Sequence, residues 1–388
     1  MRICIVSQEY PPVSEYHGGI GTQYGRLAPA LAALGHELHV ITLASGRPAE
    51  PIVAGVHVHP LTRARLWPWF ELTWARGIQA KLDELGPFDA VLSPEFRGEA
   101  ALYASDQSSG PLTTHLVTSL RQLLTIRPGL TWRERHGARV RVQLWVERHQ
   151  AERSASLLAP GDAVLDWATR LWKLDGIPAH VLPLTIGVEE VRAAAAEGPL
   201  PVGFPAHGPV VTFASRMDGH KGAQHLVQAM HSVWTTHPDA QLVFVGRDAR
   251  WKRGMMSDHL RVLAGRRAGN THVLGFQEDG PYFAAVAASD VVAIPSLWES
   301  YCLAAVEAMA LGRPVVGTAG HGFSEFLEHD RNGLLVSRGS VDDLAEAVAR
   351  LLDDDALRAR LGTAAAETGA EHSPGEVAPR YVSALAVS

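Results

Sequence analysis

Two carboxylates, Glu299 and Glu307, stand in a stretch of sequence that is otherwise mostly apolar. Residues 291–295 predict a short buried strand, and residues 302–311 predict a helix that ends at Gly312. Glu307 then lies mid-helix among apolar neighbours. An unpaired buried charge is too costly to keep, so this carboxylate must be hydrogen-bonded in the core or must face a ligand. Spacing alone leaves open both a structural ion pair and a ligand site.

Two cations follow a predicted strand in the second half of the chain. Arg216 and Lys221 lie five residues apart, where the apolar run 210–214 gives way to a predicted helix. At such a turn, Arg can bind a diphosphate bidentately and Lys can act as a point charge. The alternative is a solvated surface pair.

A glycine turn follows the first predicted strand, residues 2–7. Gly18 and Gly19 open a helix that runs to Leu34. Backbone amides at a helix N-terminus can bind an anionic group, and the helix dipole favours negative charge there. A tight turn without a ligand would use glycine for the same conformational reason.

Length and composition describe a soluble protein with room for two domains. The chain has 388 residues, of which 46% are hydrophobic and 20% are charged. Its net charge of −6 argues against a nucleic-acid-binding protein. There are only two cysteines, Cys4 and Cys302, and no signal peptide or membrane-spanning run is apparent, so we expect a cytoplasmic protein without disulfides. No His-Glu-x-x-His motif or cysteine pair is present, so no metal site is expected.

Short apolar runs alternate with segments of helical spacing along the whole chain, which predicts parallel sheets covered by helices. The fold class is therefore α/β, with two doubly wound, Rossmann-like domains that face a central cleft. The densest Pro/Gly stretch marks the predicted linker. The predicted division is a first domain at 1–195, a linker at 196–208, a second domain at 209–370 and a C-terminal segment, 371–388, that crosses back to the first domain.

These motifs together resemble a known family. Glu299 and Glu307, with seven residues between them, match the Glu-x7-Glu signature of retaining glycosyltransferases of family GT4, which have the GT-B fold. The segment from Arg216 to Lys221 resembles the family element Gly-Arg-Leu-x-x-x-Lys-Gly, and Gly18-Gly19 is similar to its amino-terminal glycine loop. The resemblance covers essentially the whole chain.

The sequence departs from the family pattern beside the expected donor sugar. Residues 320–325 resemble Gly-Gly-x-Pro-Glu, but His321 replaces the first glycine of that motif and Ser324 replaces the proline. Ser300 and Cys302 stand where glycines are common. These larger side chains narrow the space beside the donor, so the identity of the sugar stays open.

The resemblance implies transfer of a sugar from a UDP- or GDP-linked nucleotide-sugar to a hydroxylated acceptor, with retention of configuration and without a cofactor or metal ion. It implies that Glu299 contacts hydroxyls of the donor sugar and that Glu307 contacts the ribose. The implied catalytic residues are Glu299, His115, Arg216 and Lys221. The implied donor-binding residues are Gly18, Gly19, Arg216, Lys221, Phe276, Glu299, Ser300, Tyr301, Cys302, Leu303 and Glu307.

The sequence bears differently on two other functional classes. A Rossmann dehydrogenase would need Gly-x-Gly-x-x-Gly followed by an acidic residue, and neither half shows that pattern. A relative that binds nucleotide-sugar but is catalytically silent, or that forms a non-glycosidic bond, would have the same sequence features.

Residues 121–153 form the most basic segment, with eight arginines against three glutamates and with Trp132 and Trp145 among them. Such a segment is usually a solvated helix face. Its alternatives are an anionic acceptor site or peripheral contact with an acidic membrane, as in some relatives that glycosylate lipids.

Overall fold

Strands and helices alternate along the chain in the order that the sequence predicts. The structure is a computed structural model that describes residues 1–11, 13–14, 18–43, 52–62, 70–126, 132–251 and 254–386. It divides into two units, Met1–Thr185 with Pro374–Ser388, and Ile186–Ser373.

The first unit is built on one sheet. Its strands are β1 (Arg2–Val6), β2 (Glu37–Leu43), β3 (Ile52–Val53), β4 (Val56–Leu61), β5 (Ala90–Pro94), β6 (Leu112–His115), β7 (Ser156–Ala159) and β8 (Ala179–Val181). They lie in the order β3-β4-β2-β1-β5-β6-β7-β8, and every neighbouring pair is parallel except the antiparallel pair β3–β4. Its helices include α1 (Gly19–Ala33), α2 (Phe70–Leu85), α3 (Leu120–Ile126), α4 (Trp132–His136), α5 (Ala138–Ala151) and α6 (Asp162–Leu171).

Helices cover both faces of this sheet, because its central strands are apolar on both sides. In β1, Ile3 belongs to the same core cluster as Leu27 of α1, whereas Cys4 belongs to the cluster that contains Ile78 of α2. Successive strand residues point to opposite faces. The continuous apolar run of β1 is therefore what a central parallel strand requires.

The second unit has a smaller parallel sheet and a short ribbon. Its strands are β9 (Val210–Ala214), β10 (Gln241–Val245), β11 (Arg250–Trp251), β12 (Gly254–Met255), β13 (Thr271–Gly275), β14 (Val291–Ile294), β15 (Val315–Thr318) and β16 (Leu334–Val336). The sheet order is β13-β10-β9-β14-β15-β16, and β11 pairs with β12 in an antiparallel ribbon. Its helices are α7 (Val188–Glu197), α8 (Ala223–Thr236), α9 (Met256–Ala264), α10 (Asp279–Ala287), α11 (Leu303–Ala310), α12 (Val341–Asp353) and α13 (Asp355–Ala370). Two α/β units on parallel sheets confirm the predicted fold class.

The boundary between the units differs from the prediction. The chain enters the second unit at Ile186, and α7 packs against α10 and α11 within that unit. The predicted linker 196–208 therefore lies within the second unit, where it comprises the end of α7 and the loop that leads into β9. Gly198 lies so close to another loop that an added Cβ would be 2.3 Å from the carbonyl oxygen of Gly280. The Pro/Gly-rich composition of this segment reflects the close approach of Gly198 to Gly280 and a turn at the surface. It does not mark the boundary between the two units, which lies at Ile186.

The last helix, α14 (Pro374–Leu385), groups with the first unit and packs against α1. Tyr381 on α14 is fully buried, and its hydroxyl accepts a hydrogen bond from Nε2 of Gln23 at 3.3 Å. Because the first unit resumes at Pro374, the second unit ends at Ser373, three residues beyond the predicted end of the second domain at 370. Among the described residues, no helix is long and apolar enough to cross a membrane.

Candidate functional site

The second sheet has one position where the strand order changes direction. In chain order its strands are arranged 3-2-1-4-5-6, so the switch point lies between β9 and β14, which are neighbours. Ligands of doubly wound sheets bind at the carboxyl ends of the strands that flank this point. Arg216 and Lys221 follow β9, and Glu299 follows β14.

Gly222 allows the segment after β9 to lie against the segment after β14. Its φ is +80°, and an added Cβ would lie 2.0 Å from the carbonyl oxygen of Pro295. In addition, the amide of Leu297 donates a hydrogen bond to the carbonyl oxygen of His220 at 2.7 Å. These contacts hold the turn that carries Lys221 beside the loop that carries Glu299.

Lys221 and Glu299 form a buried ion pair. The ammonium Nζ lies 2.8 Å from Oε1 and 2.7 Å from Oε2 of Glu299. Ser296 also donates a hydrogen bond to Oε1 at 2.7 Å. Burial by itself raises the pKa of Glu299, but the charge and hydrogen bonds of Lys221 and the Ser296 hydroxyl outweigh it, so the pKa is lowered. Glu299 is therefore an anion held in a fixed orientation.

Arg216 has a different environment, beside Asp218. Its Nη2 lies 3.0 Å from Oδ2 of Asp218, while Nδ1 of His220 lies 3.1 Å from Oδ1 of the same carboxylate. The Nε of Arg216 is buried and has no hydrogen-bond partner among the residues that the structure describes. A buried donor without a partner is costly in a folded protein, which favours a ligand at this position.

The backbone of Glu299 is held by the loop after β15. Its amide donates a hydrogen bond to Nδ1 of His321 at 3.2 Å, and its carbonyl oxygen accepts one from the amide of Gly322 at 3.1 Å. Burial lowers the pKa of His321 to about 4, so the imidazole is neutral and can accept this hydrogen bond. The replacement of a family glycine by His321 thus adds a contact that fixes the Glu299 loop.

The other residues of the predicted signature lie around the start of α11. Cys302 has a φ of +91°, a left-handed conformation in which glycine is favoured, and this explains why glycine is common there in the family. Leu303 begins α11, and Ser300 and Leu303 are partly exposed, as is Cys302. Glu307 lies within α11 and is 8% exposed.

Tyr301 and Phe276 lie in contrasting environments. Tyr301 is buried, and its hydroxyl lies 2.6 Å from Nε2 of His372, so its side chain packs inside the second unit. Phe276 follows β13 and is half exposed, with the guanidinium of Arg247 4.0 Å from its ring centre. Of the two rings, only that of Phe276 is exposed at the surface of the second unit.

In the first unit, a carboxylate occupies the predicted glycine turn. Oε2 of Glu9 accepts hydrogen bonds from the amide of Gly18 at 2.6 Å and from that of Gly21 at 3.3 Å. Gly19 is the first residue of α1. The anion that this helix N-terminus favours is thus supplied by the protein itself in this structure.

His115 ends β6 and is buried. Its Nδ1 lies 3.3 Å from the hydroxyl of Tyr24, and its ring also packs edge-on against Tyr381. Burial lowers its pKa to about 4, so the imidazole is neutral near pH 7. Its Nε2 is buried without a partner among the described residues. His115 can therefore exchange hydrogen bonds with a ligand but does not carry charge.

Sequence reasoning missed four residues that hold these groups: Glu9, Asp218, Ser296 and His321. Asp218 lies between the two predicted cations, and Ser296 lies three residues before Glu299. Their closeness in sequence to the predicted site residues could have predicted both contacts. The contacts of Glu9 and His321 join segments that are distant in sequence, and spacing could not have shown them.

Comparison with known families gives two adjacent matches. Residues 18–185 match the family described as "Glycosyl transferase 4-like domain", and residues 201–368 match "Glycosyl transferases group 1". Together they span nearly all of both units.

Similar proteins of known activity are glycosyltransferases. A phosphatidyl-myo-inositol mannosyltransferase of Mycolicibacterium smegmatis is 28% identical, over 92% of this chain and 86% of that protein. A D-inositol 3-phosphate glycosyltransferase of Corynebacterium aurimucosum is 35% identical, over 44% of this chain and 41% of that protein.

Solved structures share the fold over the full length. Sucrose-phosphate synthase from Thermosynechococcus elongatus matches with a TM-score of 0.78 at 22% identity, and the match covers 100% of both chains. Anabaena HepE in complex with UDP matches with a TM-score of 0.73 at 19% identity, again over 100% of both chains.

The fold and the family matches define a glycosyltransferase with the GT-B fold. The chain belongs to glycosyltransferase family GT4, and it is an enzyme of the hexosyltransferase type. The predicted family and enzyme class are thereby confirmed.

Proposed function

We propose that this enzyme transfers a sugar from a UDP- or GDP-linked nucleotide-sugar to a hydroxylated acceptor with retention of configuration. The observation that carries the proposal is the arrangement of Arg216, Lys221 and Glu299 at the switch point of the second sheet. Two cations for a diphosphate and one oriented carboxylate for sugar hydroxyls lie together there. Structures of HepE with UDP and with UDP-glucose are consistent with this class of donor.

In this proposal, Arg216 and Lys221 stabilise the charge that develops on the departing diphosphate. Donors that are already oriented before the reaction stabilise a transition state without a reorganisation cost. Lys221 is held by Glu299, so its position is fixed before the donor binds. Glu299 would bind hydroxyls of the transferred sugar and would not form a covalent intermediate.

The alternative function is binding of a nucleotide-sugar without glycosidic transfer. A turnover assay separates the two. Incubation with radiolabelled UDP-glucose or GDP-mannose and a panel of polyol and lipid acceptors should give a labelled product whose anomeric configuration is that of the donor. Release of nucleotide without a glycosidic product from any acceptor would favour the alternative.

We expect transfer to survive chelation of divalent cations. In this proposal Arg216 and Lys221 neutralise the diphosphate, a role that Mg²⁺ or Mn²⁺ has in other transferases. Initial rates in an excess of EDTA should equal those in buffer alone. Loss of activity in EDTA that added Mg²⁺ restores would contradict the proposed site chemistry.

We also propose that the face formed by α4 and α5 contacts an acidic membrane. Trp132 is 72% exposed and Trp145 is 49% exposed, and Arg139 and Arg141 on the same segment are exposed as well. Exposed tryptophans among cations favour the interface of an anionic bilayer. Part of the basic segment, residues 127–131, lies outside the described residues.

Flotation with lipid vesicles tests this contact. Wild-type protein should float with phosphatidylglycerol vesicles and not with phosphatidylcholine vesicles. Trp145→Ser combined with Arg141→Gln should stay at the bottom of the gradient. Equal flotation of variant and wild type would show that this face does not bind membranes.

We further propose a cytoplasmic location, in which the free thiols of Cys4 and Cys302 stay reduced. Recovery of the protein with a secreted or periplasmic fraction would contradict it.

A further inference from the structure

An arginine at the edge of the first sheet has an unusual backbone conformation. Arg97 follows β5 with a φ of +69°, in the left-handed region that residues other than glycine rarely adopt. Its amide donates a hydrogen bond to Oε1 of Glu147 at 3.0 Å, and the next residue, Gly98, packs against Val146. Such strain persists only where the surroundings impose it, and it is frequent at functional sites.

The guanidinium of Arg97 is only partly used. Its Nη1 donates a hydrogen bond to Oε1 of Gln8 at 3.0 Å, and the side chain is partly exposed. Within the described part of the chain it makes no other side-chain hydrogen bond, although a guanidinium has five donors. Most of its hydrogen-bonding capacity therefore remains for a ligand.

Gln8 adds a second unused donor at the same place. It follows β1, which neighbours β5 in the sheet. The amide of Gln8 donates a hydrogen bond to Oε2 of Glu99 at 2.8 Å, and its side-chain oxygen faces Arg97. Its Nε2 is buried and has no partner among the residues described. The backbone amide and the side-chain oxygen of Gln8 are thus both hydrogen-bonded, and only its NH₂ group is unsatisfied.

Three buried carboxyl groups, those of Glu95, Glu99 and Glu147, belong to the surroundings of Arg97. Burial raises the pKa of Glu147 to about 7 and raises those of Glu95 and Glu99 well above their ordinary value. Oε2 of Glu95 also accepts a hydrogen bond from the backbone amide of Val117 at 2.6 Å. The carboxyl group of Glu147 accepts hydrogen bonds from the backbone amides of Arg97 and Leu120. Burial thus disfavours the charged form of all three groups, and the Glu9 carboxylate is bound by the amides of Gly18 and Gly21. The guanidinium of Arg97 therefore keeps donors that can bind an anion.

We propose that Arg97 and Gln8 bind a phosphate group carried by the acceptor. A guanidinium fork and an amide NH₂ match the several acceptor oxygens of a phosphate, and Arg binds that group bidentately. This assignment rests on the proposed transferase function, since it names the charged group of the acceptor. The phosphate could belong to a soluble polyol phosphate or to a lipid headgroup.

The test measures phosphate binding directly, in the full chain. Glycerol 3-phosphate and glycerol are titrated calorimetrically into the Arg216→Ala/Lys221→Ala protein, in which the cations of the second unit are removed. Phosphatidylglycerol micelles form the lipid arm. The same titrations are made after adding Arg97→Gln, Gln8→Glu or the control Arg170→Gln, which removes an exposed arginine of the same unit that lies outside the basic segment 121–153.

We expect a phosphate probe to bind and glycerol not to bind. Arg97→Gln and Gln8→Glu should each weaken binding about 10- to 100-fold, the usual range for a charge-assisted hydrogen bond, while Arg170→Gln should have no effect. Gln8→Glu puts a carboxylate beside Arg97 and so tests the site even if Arg97→Gln does not fold. Preference for the soluble or the lipid arm identifies the source of the phosphate.

Unchanged affinity in both variants, equal losses in Arg97→Gln and Arg170→Gln, or no binding of either probe would overturn the assignment. Failure of the proposed transferase function has a different signature. Wild-type protein would then fail to bind nucleoside diphosphates, whatever the result with Arg97.

Discussion

Replacement of Arg216 by Ala should lower the rate of sugar transfer by about 10²- to 10³-fold, because one donor aimed at a developing anion contributes about 2.7–4 kcal/mol to the transition state. The protein should remain as stable as the wild type. The ion pair with Asp218 is partly exposed, with 39% of the Arg216 side chain accessible, and such pairs stabilise proteins little. Initial rates at saturating donor and a thermal melt measure both effects.

Lys221→Ala should lower the rate by a similar factor, but it also breaks a buried ion pair. The carboxylate of Glu299 would lose its cation, and removal of one partner from such a pair typically costs about 3–5 kcal/mol of stability. The double variant Lys221→Ala/Glu299→Gln removes the stranded charge and should recover much of that stability without recovering activity.

A matched control separates a lost active-site contact from a general loss of charge. Arg261 on α9 pairs with Asp258 three residues away and is 53% exposed. Arg261→Ala should leave both rate and melting temperature unchanged. Near-normal transfer in the Arg216→Ala/Lys221→Ala protein would show that these residues do not stabilise the leaving diphosphate.

Glu307→Gln should weaken binding of the free nucleoside diphosphate by about 10- to 100-fold. If Glu307 binds the ribose, its substitution removes a charge-assisted hydrogen bond, which contributes about 1.5–3 kcal/mol. Its position within α11, where it is 8% exposed, gives the carboxylate a fixed place. Calorimetric titration with UDP and GDP measures the change.

Glu299→Gln should have the opposite profile. The ammonium of Lys221 would no longer be bound by the carboxylate, so it would stay available to the diphosphate and nucleotide affinity should be retained. The rate of transfer should fall instead, because Glu299 is assigned to the sugar. If both variants bind nucleotide normally and only melt earlier, the two carboxylates are structural.

Much of this fold could be predicted from local sequence, because central parallel strands are continuous apolar runs. The run of residues 2–7 corresponds to β1 at Arg2–Val6, and the run 210–214 coincides with β9. The short strands β3, β11 and β12 have only two residues each and no periodicity from which to predict them. The domain boundary was misplaced because Pro and Gly mark any tight surface loop, including one within a domain.

The candidate site was predictable where its residues follow strands, and not where they meet through space. Arg216, Lys221 and Glu299 could be named from their positions after predicted strands. That Lys221 binds Glu299 depends on the adjacency of β9 and β14, which sequence spacing does not contain. Burial of His115 between Tyr24 and Tyr381 likewise depends on the return of the chain at α14.

The most direct test of the central claim is titration of the wild-type protein with UDP and with GDP, in the absence of metal ions and acceptor. The site at the switch point of the second sheet should bind one of the two nucleotides with a stoichiometry of about one, and Arg216→Ala/Lys221→Ala should weaken that binding at least about tenfold. Binding of neither nucleotide, or equal binding by the wild type and the double variant, would contradict the assignment of Arg216, Lys221 and Glu299 to a nucleotide-sugar donor.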